Sequence, residues 1–123
     1  MDDGWCRIHV DGPASLDALR EAVAAAVGGA ADDYGVRAPG YEFPVEEHDD
    51  YSPDARRAFP GGFLHFPYAV EVLPEHEPLP LAVVGGLLEA LWARGWAAVA
   101  VCDYEDQLPH GGGYNDPSLP WPA

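Results

Sequence analysis

The chain has 123 residues, 48% of them hydrophobic, and a formal charge of -15 from 21 acidic against 6 basic residues. That length suits one domain spanning 1–123 with a core of its own, and the apolar fraction argues against disorder. The charge argues against nucleic acid and anionic membrane surfaces, whose phosphates need cationic side chains, and favours basic proteins or cations as partners. All six basic residues are arginine, a bias that accompanies GC-rich bacterial coding. The opening MDDGWCRIHV lacks a positive n-region and an apolar h-region, and no run of about 18 apolar residues occurs, so a cytoplasmic location is expected. Two cysteines, Cys6 and Cys102, are too few for a disulfide framework or a zinc site, and reduced thiols are the default.

Trp5 to Val10 alternates Cys6, Ile8 and Val10 against Trp5, Arg7 and His9, which predicts a half-buried strand. Asp11-Gly12-Pro13 turns the chain. Ser15 then caps a helix whose Leu16, Leu19, Val23 and Val27 recur at helical spacing until Gly28-Gly29 stops it. Ala30 to Gly40 reads as a polar connector. Tyr41, Phe43 and Val45 alternate with Glu42, Pro44 and Glu46, and Pro44, lacking a donor, predicts an edge strand.

The stretch from His48 to Gly62 has loop composition, with Asp49, Asp50, Pro53, Arg56-Arg57 and Pro60-Gly61-Gly62. Phe63 to Val72 alternates Leu64, Phe66, Tyr68, Val70 and Val72 with His65, Ala69 and Glu71, a central strand that must tolerate Pro67 through a bulge or an unpaired position. Glu75-His76-Glu77 among Pro74, Pro78 and Pro80 is a stiff turn, and Pro80 suits the first turn of the next helix. Leu81, Val84, Leu87, Leu88 and Leu91 give that helix a wide apolar face, ended by Gly95. Trp96 to Val101 is a short strand, and residues 103–123 form an acidic loop and an irregular Gly/Pro-rich tail in which Trp121 is the anchor.

Strand, helix, strand, strand, helix, strand is satisfied by an α+β two-layer sandwich. Its ferredoxin-like form has a four-stranded antiparallel sheet of order 4-1-3-2 with both helices on one face. That fold converges Trp5 and Arg7, the run Glu75-His76-Glu77, and Asp103-Tyr104-Glu105-Asp106 with His110 at one sheet end. It also sets Cys6 beside Cys102, able to bridge if oxidised but expected to stay reduced. The uncovered face would show Trp5, Arg7, His9, Glu42, Glu46, Phe63, His65 and Glu71, aromatic anchors among carboxylates that suit a basic protein partner.

No motif identifies a reaction. Ser15, Ser52 and Ser118 sit in no G-x-S-x-G setting, and the glycines of HGGGY follow a strand without opening a helix. The reading is therefore a non-catalytic binding protein with no cofactor, contacting its partner through Asp103, Tyr104, Glu105, Asp106, His110, Trp5, His65, Glu75 and Glu77. A rival reading makes Glu75, His76, Asp103, Asp106 and His110 a metal site of a small enzyme, since these are ligands for Mg²⁺, Mn²⁺ or Zn²⁺. Another joins two copies through open sheet faces as a homodimer.

From Phe63 through Asn115, FLHFPYAVEVLPEH followed by LLEALWARGWAAVAVCDYEDQLPHGGGYN resembles small bacterial immunity partners of polymorphic or contact-dependent toxins. The pattern CDxEDxLPxxGG after the last strand carries the resemblance, which covers less than half the chain. It implies a non-catalytic inhibitor that covers the active site of a toxin domain.

Overall fold

In a computed structural model, which describes residues 4–123, the first strand is β1 (Cys6–Asp11). Ser15 then starts α1 (Leu16–Val27) by accepting the Ala18 N–H at 3.0 Å, so one orphan donor of the first turn is satisfied. Gly28 ends the helix at φ 67°, a left-handed conformation that glycine adopts without penalty, and returns its N–H to Ala24. The chain continues through β2 (Ala30–Ala31), β3 (Gly35–Ala38), β4 (Tyr41–Glu47) and β5 (Tyr68–Pro74). After Pro80 comes α2 (Leu81–Ala93), and then β6 (Ala97–Val101). Among the described residues no helix is long and apolar enough to cross a membrane.

The strands form one six-stranded antiparallel sheet of order β2-β3-β4-β5-β1-β6. The expected four-stranded ferredoxin-like sheet is therefore wrong, because the supposed connector after α1 is itself a hairpin. Asp32 Oδ1 accepts the N–H groups of Tyr34 and Gly35 at 2.8 and 3.0 Å, which folds the chain back between β2 and β3. Gly35 lets β3 close on β4, since a Cβ there would stand 2.1 Å from the Phe43 carbonyl oxygen.

β4 is consequently interior rather than an edge. It tolerates Pro44 because Val45 N–H points to Tyr34 O on the β3 side, at 3.0 Å. The missing donor thus falls toward β5, where bridging lapses between Glu42↔Leu73 and Val45↔Val70 and resumes in the same register. The strand expected from Phe63 is also shorter. Gly61–His65 winds into a 3₁₀ turn, and Pro67 precedes β5, accepting from His48 N–H at 2.8 Å through its carbonyl.

Both helices cover the face carrying Ile8, Val10, Phe43, Val70 and Val72, which with Leu19, Val23, Leu87, Leu88 and Leu91 make the main core. The other face is half covered, not open. Phe66, Ala97 and Val99 form a second cluster under Phe63 and Trp121, and Trp121 Nε1 donates to Arg57 O at 3.0 Å. His9, expected on an open surface, is buried there. Leu88→Ala should cost about 2–5 kcal/mol in urea unfolding, the usual range for a fully packed leucine. Leu64→Ala, at a position 51% exposed, should stay within about 0.5 kcal/mol.

Candidate functional site

Tyr104, only 3% exposed, donates its hydroxyl proton to Gly4 O at 2.7 Å and so ties the loop after β6 to the chain entering β1. Gly4, at φ 84°, lies so near the turn before α2 that a Cβ would stand 2.5 Å from the Glu77 carbonyl oxygen. Three segments thus meet at one end of the molecule, and Glu75, His76, Glu77, Asp103 and Asp106 are exposed on it. Tyr41 hydrogen-bonds the Glu77 carboxylate, and its phenol is pushed up to about 12 by burial and then by that carboxylate.

Other members of the expected partner-binding set are used by the fold itself. Glu105 Oε2 accepts the Cys102 N–H at 3.0 Å, closing the turn out of β6. Trp5 keeps 39% exposure but turns its indole N–H to Glu71 at 3.2 Å on the sheet face. His65 lies on the 3₁₀ turn and pairs with Asp50 O at 3.0 Å. His110 stands over Trp92 near the far end of α2 and bonds Asp116 Oδ2 at 2.6 Å, away from the Glu75–Glu77 turn. The alternative metal set is likewise not assembled: among the described residues no three His, Cys, Asp or Glu side chains are grouped to hold an ion.

The glycine run has a structural task that pattern reading misses. His110, Gly111 and Gly112 are all left-handed (φ 55°, 61° and 82°), and the chain then lies along the outer edge of β6. A Cβ on Gly113 would come within 2.5 Å of the Ala98 carbonyl oxygen, which also accepts Trp92 Nε1–H at 3.0 Å. Trp92 and the glycines therefore close an edge that would otherwise present bare backbone.

Charge is distributed unevenly. On the half-open face Arg7 bridges Glu46 and Glu71 at 3.3 Å each, and Arg37 reaches Glu42 at 3.6 Å. Among the described residues the ion pairs of the arginines run to Asp11, Asp17, Asp32, Glu42, Glu46, Asp54 and Glu71, all outside the acidic end. A second polar region, not anticipated, is a groove of about 460 Å³ bordered by Asp11, Glu47, His48, Tyr51, Arg56 and Tyr68. Arg56 is held by Asp11 at 3.1 Å, and His48 Nδ1–H donates to Phe66 O at 3.1 Å. That bond orients the imidazole of His48 and sets which ring nitrogen carries the proton. The Asp, Arg and Tyr content of residues 48–62 was the available signal.

Against protein-family models, curated proteins and solved structures, nothing matches this chain.

Behind the groove, His9 packs edge-on to His48 and Phe63 with ring centroids 5.1 and 5.3 Å away, and its Nδ1 has no hydrogen-bond partner among the described residues. Burial first, then His48 and Arg7, lower its pKa to about 4. The unfolded chain then binds a proton that the folded chain refuses, so this residue withdraws stability as pH falls from about 6.5 towards 4. Substituting His9→Gln should remove up to about 1.4 kcal/mol per pH unit from that slope. Urea midpoints from pH 7 to 4 would show it, and an unchanged slope would contradict it.

For the glycine edge, Gly113→Ala should cost about 2 kcal/mol or more in urea unfolding, through both contact and backbone strain. Gly111→Ala, left-handed but with nothing within 4 Å, should cost about 1 kcal/mol. Equal costs would argue against the close approach to Ala98.

Proposed function

We propose that this chain is a non-catalytic protein-binding module, an immunity-type inhibitor that neutralises a bacterial toxin domain by docking its acidic end on a basic surface. One observation carries the reading: Glu75, Glu77, Asp103 and Asp106 stand exposed on segments that Tyr104 and Gly4 join. A rigid carboxylate array of this kind can occupy a cationic cleft built for phosphates. Its field, from a chain of charge -15, speeds the encounter. The CDxEDxLPxxGG resemblance agrees with this role. Ordered segments also reduce the entropy lost on docking.

The test is co-expression with a toxin-like domain encoded beside the gene, scored by surviving cells. The parent chain should rescue growth. The double variant Glu75→Gln, Asp106→Asn should fold normally, associate several-fold more slowly at low salt, and show a flatter salt dependence. Undiminished rescue with unchanged kinetics would remove the acidic end from the interface. Failure of the parent to rescue would overturn the inhibitor reading for that toxin.

A further inference from the structure

Cys6 opens β1 and Cys102 directly follows β6, its antiparallel neighbour, in a register that matters chemically. Arg7 faces Val101 across β1 and β6, so one step further Cys6 faces Cys102. Ala98 O is taken off the sheet edge by Trp92 Nε1, and the Cys102 N–H is taken by Glu105 Oε2. Ala98, Ala100 and Cys102 therefore turn their backbone polar groups away from β1. Cys6 and Cys102 belong to the non-hydrogen-bonded rows of the ladder, where facing Cα atoms approach to about 4.5 Å and side chains are closest. That separation lies inside the range a disulfide spans, about 4.4–6.8 Å. Both side chains fall on the helix-covered face, with Cys6 fully buried and Cys102 partly exposed against the same core.

We infer that Cys6 and Cys102 form a redox modification site, a cross-strand dithiol that a hydroperoxide converts into an intramolecular disulfide, with Cys102 attacking first and Cys6 resolving.

The local chemistry assigns those roles. The two thiols act on each other in opposite directions. Cys102 is held below the ordinary thiol range, first by the Cys6 hydrogen bond and then by the Tyr104 backbone N–H, working against burial. Cys6 is pushed up by its bond to Cys102 and by burial. Cys102 is thus the better thiolate and the more reachable sulfur, while Cys6 keeps its proton. In the first step the Cys102 thiolate attacks the terminal oxygen of the peroxide. The O–O bond breaks, the alkoxide or hydroxide leaves and takes up a proton, and Cys102 becomes a sulfenic acid. In the second, Cys6 sulfur attacks Cys102 sulfur, the S–O bond breaks, and the Cys6 proton leaves with that hydroxyl as water. Two thiols are oxidised by two electrons, and one peroxide is reduced. The bond would pin the start of the acidic loop to β1, a consequence that does not depend on what the loop binds.

The experiment uses the full chain, reduced and freed of reductant, treated with a stoichiometric amount of hydrogen peroxide under native conditions. Intact mass should fall by about 2 Da, both thiols should become untitratable, and the product should carry no intermolecular disulfide and show a raised thermal midpoint. Cys6→Ser should stop at a Cys102 sulfenic acid that dimedone captures, whereas Cys102→Ser should leave Cys6 unmodified while folded. Cys6→Ala serves in its place where serine at that buried position unfolds the chain, and the parent measurement needs no variant. A gain of about 16 or 32 Da without bridging, an intermolecular dimer, persistent free thiols, or equal reactivity of the two single variants would overturn the assignment.

Discussion

The unpaired outer edge of β6 is the constraint on which the rest of this structure depends. A sheet edge exposes a row of N–H and C=O groups that invites pairing with another chain unless it is covered. At the other end the solution is brevity, since β2 has only two residues, Ala30–Ala31. At β6 the solution is cover. Trp92 donates to Ala98 O from α2, and the left-handed stretch after Pro109 brings glycine backbone against the strand. Laying that stretch down requires the preceding residues to turn sharply out of β6, which Glu105 and the buried Tyr104 accomplish. The exposed acids Asp103 and Asp106 are carried outward by this turn and come to stand near the Glu75–Glu77 turn.

Electrostatics follows from the same packing. A chain with 21 acidic and 6 basic residues cannot pair all its carboxylates, so where its arginines go decides where negative potential remains. Arg7 and Arg37 are spent across strands of the half-open face, Arg56 in the polar groove, and Arg94 over the Trp96 ring at 5.3 Å. Among the described residues those ion pairs lie away from the end built by Gly4, Glu77 and Tyr104. An exposed acidic surface on ordered backbone is the property the proposed inhibitor role uses.

Local signals made both helices legible, since Ser15, Gly28 and the leucine spacing act within a few residues. The strands that alternate, at Cys6 and at Tyr41, were legible for the same reason. β2 and β3 were not. Ala30-Ala31 has no alternation to read, and the hairpin rests on a single Asp32 side chain accepting two backbone N–H groups. Phe63 to Phe66 mimicked a strand, but Pro60-Gly61-Gly62 let the chain coil into a 3₁₀ turn instead. Pro44 misled because a missing donor is harmless wherever the ladder happens to skip a bridge. At the site, the meeting of Glu75–Glu77 with Asp103–Asp106 was visible from strand ends alone. Which side chains the loop would consume internally was not, because the fates of Tyr104, Glu105 and His110 are set by atomic neighbours rather than by pattern. The facing of Cys6 and Cys102 was readable, whereas the type of ladder row they occupy needed Trp92 and Glu105 in place.

The acidic run is a fixed part of the fold and not a solvated tail. Native-state hydrogen exchange at Gln107, Leu108 and Gly111 tests it most directly, because their amides donate to Tyr104, Glu105 and Leu108 carbonyls at 3.0, 3.1 and 3.0 Å. These amides should exchange orders of magnitude more slowly than in an unstructured peptide, because opening them requires lifting the run off β6. Exchange at unstructured rates, with β6 itself still protected, would contradict it.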